Sequence, residues 1–351
     1  MRPVLTLAVF VLAALALPAQ NAPQPQPDPP HRTWQAAWIT HPTAPLREPV
    51  VLHFRRSLTL AAVPATYTVR VSADNRFVLW VNGHRVGDGP ARGDLAHWRY
   101  ERFDLAPLLR IGQNLITATV WNCGVYAPIA QMSDRTAFLL ESEATGDSSI
   151  STPGGWMVEQ EQGRRPLPPV PNDLWDYVAS GAAEEVDAAR YDWAWSDPAA
   201  AGAAWVLAAS PIRESVLSDV NKAHSADTTG DDPWDLVPDT LPAMQYTPTD
   251  PGKVVRVDAI GAEQPNLNAF PGSPVTLPPG IHVHILLDRK TLTTAYPLLT
   301  VSGGKGAHIH LTYAEALYDK KLHKGDRDEV GDRTIIGLSD SFLPDGGPHR
   351  S

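Results

Sequence analysis

The chain has 351 residues, a formal net charge of −10, a single cysteine and eleven tryptophans. The negative charge argues against nucleic acid and anionic membrane surfaces as partners, but it does not oppose a neutral sugar. One cysteine cannot form an internal disulfide, so stability must come from an apolar core, which a chain of this length can build. No residue pattern indicates a cofactor.

The N-terminus has the three parts of a secretory signal peptide. Arg2 supplies a positive charge, an apolar run extends from Val4 to Leu17, and Ala19 is a small residue at a plausible cleavage point. The run is shorter than the ~20 residues of a membrane span, although an uncleaved anchor is the alternative. We therefore predict a signal peptide at 1–19, a Pro/Gln-rich tether at 20–31, and a secreted or periplasmic protein with no membrane segment after cleavage.

The pattern that follows predicts an all-β chain. Residues from Val50 to Arg55 alternate between apolar and polar side chains, which is typical of a half-buried strand. Asn82-Gly83 between two apolar runs indicates a hairpin, because a type I′ turn needs positive φ at both central residues. Several short strands with turn signals between them favour a β-sandwich. The segment 181–190 is the best candidate for a short helix.

Two β domains are expected, separated by a connector. Residues 32–212 are predicted to form a β-sandwich, 213–253 a connector, and 254–351 a second sandwich. Alternation returns at 281–285 and 307–313, each a half-buried strand. Residues 344–351 have the composition of a turn with no strand after it. We therefore expect the second sandwich to lack its closing strands.

Several extended patterns carry a resemblance to one family. They are Trp34–Ile39, Val71–Phe77, Val81–Gly83, Gly89–Asp94, Val120–Gly124, Tyr191–Trp195 with Trp205, and Tyr313–Leu317. Together these segments resemble the bacterial α-L-rhamnosidase family over most of residues 33–347. The resemblance implies two jelly-roll-like β domains that support an (α/α)6 catalytic barrel, in glycoside hydrolases that remove terminal rhamnose. It also implies a rhamnose-containing glycan or a related sugar as ligand.

No segment resembles the barrel that carries the family's catalytic carboxylates, so no catalytic residue is assigned. The acidic stretch Asp326–Glu329 lies among basic residues and glycines, in the setting of a solvated loop, and is not assigned to catalysis. We predict an inactive, non-catalytic portion of a secreted α-L-rhamnosidase-like hydrolase, with the barrel as a partner from the same gene or a separate chain. The alternatives are a free-standing carbohydrate-binding protein and a scaffold for a separately encoded catalytic domain.

Five residues are candidates for sugar contacts. Asp94, His97 and Trp98 follow a glycine-rich turn, and Asn122 and Tyr126 follow the end of a strand. Loops at one end of a sandwich can supply a stacking ring together with hydrogen-bonding groups. The alternative is that the tryptophan belongs to the core, and that the Asp and Asn side chains satisfy nearby backbone groups.

Two His-x-His pairs, His282 with His284 and His308 with His310, are the only candidates for metal ligands. Alternation along a strand places both members of a pair on one face. If the strands were neighbours, four imidazoles would converge on Zn²⁺ or Cu²⁺. The alternative is a polar outer face, and we assign no metal.

Overall fold

A computed structural model describes residues 5–8, 34–144, 147–168, 181–199, 204–211, 224–225, 233–261 and 265–351, with only the backbone for 5–8 and 224–225. The predicted tether and most of the predicted signal peptide lie outside these residues. In the part of the chain so described, no helix has the length and apolar character needed to cross a membrane.

The all-β prediction is confirmed. In the ranges given above, the regular elements are strands and three short 3₁₀ turns, Leu95–His97, Ala106–Leu108 and Gly124–Tyr126. The strands are β1 Leu5–Ala8, β2 Val50–Leu60, β3 Thr68–Asp74, β4 Arg76–Val81, β5 His84–Gly89, β6 Trp98–Asp104, β7 Gly112–Asn122, β8 Ala137–Ser142, β9 Met157–Gln160, β10 Arg164–Leu167, β11 Ala183–Asp187, β12 Val206–Leu207, β13 His224–Ser225, β14 Asp235–Pro238, β15 Lys253–Ile260, β16 Val275–Leu277, β17 His282–Asp288, β18 Thr300–Gly303, β19 Ile309–Tyr313 and β20 Leu338–Leu343.

Contacts between residues divide the chain into two compact units. The first unit consists of Pro23–Ala182 and Asp192–Pro242, and the second of Met1–Ala22, Ala183–Tyr191 and Ala243–Ser351. The segment 183–191 was expected in the first domain, but its contacts group it with the second unit.

The first unit is a two-layer sandwich. One sheet has the strand order β12-β9-β2-β7-β4-β5 and the other β13-β14-β6-β3-β8. Strands β2 and β7 pair antiparallel along their whole length, from Val50 opposite Asn122 to Leu60 opposite Gly112. The Asn82-Gly83 hairpin is present, with φ of 53° and 79° at the two residues.

Alternating residues of both sheets form the main core of the sandwich. The fully buried side chains include Phe54 of β2, Phe77 of β4, Val71 of β3 and Phe138 of β8. The rings of Phe54 and Phe138 lie 5.1 Å apart, which joins the two layers. Period-two patterning therefore places one face of each sheet in a shared apolar interior.

A second, aromatic cluster uses other residues of the five-stranded sheet. Trp98 and Tyr100 of β6 alternate with the residues that face the main core, and they pack with Trp34, Trp38 and Trp234. The rings of Trp38 and Trp234 are 4.4 Å apart. This sheet is therefore buried on both faces, which explains a large part of the high tryptophan count.

The predicted helix at 181–190 is wrong. Residues 183–187 form β11, which pairs in parallel with β20, and β20 pairs antiparallel with β19. In the register, Glu185 lies opposite Ser341 and Val186 opposite Phe342. Local composition favoured a helix, but pairing with a strand about 155 residues later in the chain overrides such a weak local preference.

The second unit is built from small sheets around a modest core. Strands β16, β1 and β18 form one sheet and β15 and β17 another, beside the β11-β20-β19 set. The buried apolar cluster contains Leu267, Val275, Leu277 and Val301. Residues 5–8 pair antiparallel with both β16 and β18, so these four residues join the sheet, which the predicted signal peptide was not expected to do.

The last residues of the chain are also paired. Val301 and Arg350 exchange two backbone hydrogen bonds of 2.8 Å, and Gly303 donates to the carbonyl of Gly347 at 3.0 Å. The side chain of Arg350 binds the carboxylate of Asp345 at 2.7 Å. This segment was expected to be a simple turn, but it folds back along β18.

Candidate functional site

Strand register places the two predicted sugar-binding loops at the same end of the sandwich. Phe77 near the start of β4 lies opposite both Gly89, the last residue of β5, and Val120 near the end of β7. The loop after β5 carries Asp94 and His97, and the loop after β7 carries Tyr126. Both loops therefore leave this end of the first unit, which we call the loop end.

Asp94 and His97 are exposed and bonded to each other. Their side chains are 57% and 67% exposed, and Asp94 Oδ1 lies 3.0 Å from His97 Nδ1. The hydrogen bond from His97 holds the pKa of Asp94 below its usual value. The pair therefore presents one carboxylate and one imidazole to solvent, where both can reach a ligand.

The structure corrects the prediction for two of the five candidate residues. Trp98 is only 2% exposed within the aromatic cluster, so it offers no face on which a sugar ring could stack. Asn122 is also 2% exposed, and its side chain binds Ser133 Oγ and the backbone N–H of Gly124. Tyr126 is half-buried in the 3₁₀ turn at the same end. For Trp98 and Asn122 the structure therefore supports the alternative interpretation. Trp98 belongs to a buried cluster, and the Asn122 side chain binds groups of the nearby loop.

A buried carboxylate holds the loop end together. Asp74, at the end of β3, is fully buried and accepts hydrogen bonds from Ser133 Oγ at 2.6 Å and the backbone N–H of Asp134 at 2.7 Å. It also accepts from Asn75 Nδ2 at 2.8 Å and Trp234 Nε1 at 3.1 Å. Burial raises the pKa of Asp74, and these donors oppose that shift by stabilising the charged form.

At the same end of the first unit lies a second acidic group that sequence patterns did not single out. Glu101 of β6 accepts a hydrogen bond from the backbone N–H of Ala91 at 3.1 Å. Burial, followed by the charge of Asp239, raises its pKa, and the two carboxyl groups share a hydrogen bond. Arg99 Nη1 lies 3.7 Å from Asp239 Oδ1. In the sequence, only the alternation of β6, with Arg99 and Glu101 between aromatic residues, could have pointed to this carboxyl pair.

Glycine makes room for this carboxyl group. A Cβ on Gly89 would lie 2.5 Å from Glu101 Cγ, so any larger residue would displace the Glu101 side chain. The last residue of β5 and the middle of β6 therefore meet closely at the loop end. The close contact fixes the position of the loop that begins at Pro90.

The chemistry of these groups suits hydrogen bonding rather than hydrolysis. Inverting glycosidases hold their two carboxyl groups about 6.5–9.5 Å apart to admit a water molecule. Glu101 and Asp239 share a hydrogen bond, which is much too close for that arrangement. The stretch Asp326–Glu329 lies in the second unit on an exposed turn, where Glu329 pairs with Arg333. Neither set has the geometry of a hydrolytic site.

A third acidic cluster lies on the outer face of the six-stranded sheet. His53 of β2 is completely buried, with Nδ1 at 3.3 Å from Glu159 Oε1 and 3.7 Å from Glu161 Oε2. Its ring stacks on Trp195 at 4.2 Å, and Trp80 meets Trp195 edge-on at 5.2 Å. His53 is thus covered by Trp195, whereas the indoles of Trp80 and Trp195 are only half-buried.

Burial sets the protonation states in this cluster. Desolvation lowers the pKa of His53 to about 4, so the imidazole is neutral at pH 7. Desolvation, with the nearby charge of Asp192, raises the pKa of Glu159 to about 7. Nearby Arg55 lies over the ring of Trp205 at 4.1 Å. The polar residues of β2 thus belong to a buried network, although the alternation in the sequence suggested that they face solvent.

The four histidines of the weak metal alternative do not converge. His282 and His284 are on β17, which pairs with β15, whereas His310 is on β19, which pairs with β20. The residues between them, Val283 and Ile309, pack against the same apolar cluster. The imidazoles therefore point away from that cluster on different strands. In the described residues, no group of three or more His, Cys, Asp or Glu side chains is arranged to hold a metal ion.

Comparison with known proteins gives one consistent structural relationship. No protein-family model and no curated protein sequence matches the chain. A GH78 family rhamnosidase of Bacillus sp. GL1 is similar in structure, with a TM-score of 0.52 and 26% identity, over 64% of this chain and 22% of that protein. An α-L-rhamnosidase from Aspergillus terreus has a TM-score of 0.51 and 13% identity, over 90% of this chain and 32% of that protein.

These matches agree with the resemblance found in the sequence. The Aspergillus protein shows a shared fold, and the Bacillus protein adds detectable sequence similarity over the matched region. The chain spans less than a third of the length of each protein. It is therefore a structural relative of the GH78 α-L-rhamnosidases that corresponds to an all-β part of these larger proteins.

Proposed function

We propose that this chain is the non-catalytic β portion of an exported α-L-rhamnosidase-like glycoside hydrolase, and that it supports the catalytic part. The structural similarity to the Bacillus rhamnosidase supports this assignment. The carboxyl pairs found in the first unit are too close together for glycoside hydrolysis, which agrees with a supporting role.

The main observation behind this proposal is an exposed apolar surface of the second unit. Two segments without strand structure, 243–250 and 290–299, expose large apolar side chains. Tyr246 and Tyr296 connect the segments, with ring centroids 6.0 Å apart. The exposed side chains are Met244, Tyr246, Leu292, Tyr296 and Leu298, at 65%, 44%, 64%, 72% and 60% exposure. A cluster of exposed apolar groups is typical of a surface that binds another polypeptide.

The partner of this apolar surface is a catalytic polypeptide. The probe is the portion of the Bacillus GL1 rhamnosidase outside the matched region, produced as a separate chain. We expect it to bind the protein with a Kd of roughly 10 μM or tighter, and the Tyr296→Ser/Leu298→Ser variant to bind at least tenfold more weakly. Isothermal titration calorimetry measures both.

The matched control is Val63→Ser/Ile111→Ser, which changes two exposed apolar residues of the first unit. This variant should bind as the wild type does. Absence of binding, or equal weakening by the two variants, would contradict the supporting role.

Sugar binding at the loop end is the second candidate function. The specific observation is that the exposed Asp94–His97 pair and Tyr126 lie at one end of the sandwich, together with the Glu101–Asp239 carboxyl pair. Carboxylate, imidazole and phenol groups can bind several sugar hydroxyls. Because Trp98 is buried, ring stacking falls to Tyr126 alone, and we propose weak binding.

Titration with L-rhamnose tests this second candidate. We expect a Kd of roughly 0.1–1 mM, with amide NMR shifts confined to the loops after β5 and β7. Asp94→Ala/His97→Ala should weaken binding at least fivefold. His84→Ala is the control, because His84 starts β5 at the opposite end of the sandwich. Shifts that map around His84 instead would reject the loop end as the site.

A further inference from the structure

The best-defined pair of metal-ligating side chains lies outside the sites described so far. His282 and His284 occupy alternate positions of β17 and are both exposed. Their Nε2 atoms are 3.0 Å apart, and the ring centroids are separated by 4.9 Å. The antiparallel register with β15, from Lys253 opposite Asp288 to Ile260 opposite His282, holds the strand that carries them. Two imidazole nitrogens are thus brought together on a solvent-facing strand.

The two nitrogens are close enough to bind a single metal ion. With metal–nitrogen distances of about 2.0–2.1 Å, two ligands at adjacent corners of a square plane are about 2.9 Å apart, and two ligands of a tetrahedron about 3.3 Å. The observed 3.0 Å lies between these two values, so one ion can bind both nitrogens after small rotations of the rings. Square-planar coordination by nitrogen is typical of Cu²⁺, which also binds nitrogen sites most tightly among the first-row divalent ions.

We propose that His282 and His284 form a chelating site for Cu²⁺ on the exposed face of the β15–β17 sheet. Both rings bind through Nε2, so each carries its proton on Nδ1 in the loaded site. Small rotations of the rings replace the hydrogen bond between the two Nε2 atoms with two bonds to one ion. Water fills the coordination positions that the protein leaves open.

A carboxylate lies across the sheet from this pair. Asp258 of β15 is directly opposite His284, so the two side chains share a face of the sheet. The Asp258 carboxylate is 64% exposed and lies 3.1 Å from Arg256 Nε. Asp258 remains in this ion pair and adds negative charge beside the site without being a ligand. Its contribution is therefore smaller than that of either imidazole.

The chain contains its own control for this site. His308 and His310 have the same His-x-His spacing, but their ring centroids are 6.4 Å apart with an interplanar angle of 55°. Spacing along the sequence is therefore equal in the two pairs, and only the arrangement of the rings differs. If the arrangement of the rings determines copper binding, His282 and His284 bind Cu²⁺ and the other pair does not.

Titration of the full chain with Cu²⁺ at pH 7.5 tests the proposal, by calorimetry and electron paramagnetic resonance. All variants carry Cys123→Ser, which removes the thiol as a competing ligand. We expect one site with tetragonal, nitrogen-coordinated Cu²⁺. His282→Ala and His284→Ala should each weaken binding at least tenfold, Asp258→Asn about threefold, and His308→Ala/His310→Ala not at all.

Three results would overturn the proposal. The first is retention of wild-type affinity when His282 and His284 are both replaced by alanine, with far-UV circular dichroism unchanged. The second is tighter binding of Zn²⁺ than of Cu²⁺, which would contradict the assignment to Cu²⁺. The third is a loss of affinity in the His308→Ala/His310→Ala variant equal to that caused by replacing His282 or His284.

Discussion

Replacing Asp74 by alanine is expected to destabilise the first unit by roughly 2–4 kcal/mol, because it leaves several buried neutral donors unsatisfied. The carboxylate is fully buried and accepts hydrogen bonds from the side chains of Asn75, Ser133 and Trp234 and from the backbone of Asp134. Without it, these donors stay buried with no acceptor. Urea unfolding followed by tryptophan fluorescence measures the loss.

Two further substitutions make the Asp74 prediction specific. Trp234→Phe removes one donor and keeps the carboxylate, so its cost should be smaller, about 1–2 kcal/mol. Asp94→Ala removes an exposed acid at the same end of the sandwich and should leave the unfolding midpoint almost unchanged. An Asp74→Ala protein that unfolds at the wild-type urea concentration would show that the network does not stabilise the fold.

The second large effect is a change of stability with pH that depends on Glu159. The pKa of this residue is raised from 4.5 to about 7, so between these values the folded state binds more protons than the unfolded state. Its contribution therefore falls as pH rises from about 4.5 to about 7. At ~1.4 kcal/mol for each pKa unit, the full change is roughly 3 kcal/mol.

His53 acts in the opposite direction. Its pKa is lowered from 6.5 to about 4, so the folded state binds fewer protons in that range, and stability rises with pH. The two effects largely cancel between about 4.5 and 6.5. The decrease due to Glu159 is then unopposed between about pH 6.5 and 7.

The Glu159→Gln variant separates these contributions. Relative to the wild type, its free energy of unfolding should increase as pH rises from 4.5 to about 7 and stay constant above that, because the glutamine does not ionise. Thermal unfolding at pH 4.5, 6 and 8 measures this. Glu48→Gln, which changes an exposed carboxylate, should follow the wild-type profile at every pH. Parallel profiles for Glu159→Gln and the wild type would exclude a raised pKa at Glu159.

Local patterns in the sequence were sufficient for several strands of the first unit and for the loops near the candidate sugar site, but not for β1 or β11. Alternation from Val50 to Arg55 and the Asn82-Gly83 turn depend on neighbouring residues and backbone sterics, so a single sequence reveals them. The loops that carry Asp94 and Tyr126 lie at the same end because they follow two strands that are both antiparallel to β4. The family resemblance rested on such extended patterns, and the structural comparisons agree with it.

Only the tertiary structure decided which side chains share a site. Alternation shows that His53 and Trp98 lie on particular faces of their strands, but it cannot show that another layer covers those faces. The Glu101–Asp239 pair joins residues that are distant in the chain, and β11 pairs with a strand near the C-terminus. These contacts depend on which strands become neighbours, and that choice is made by packing of the whole unit rather than by any local sequence.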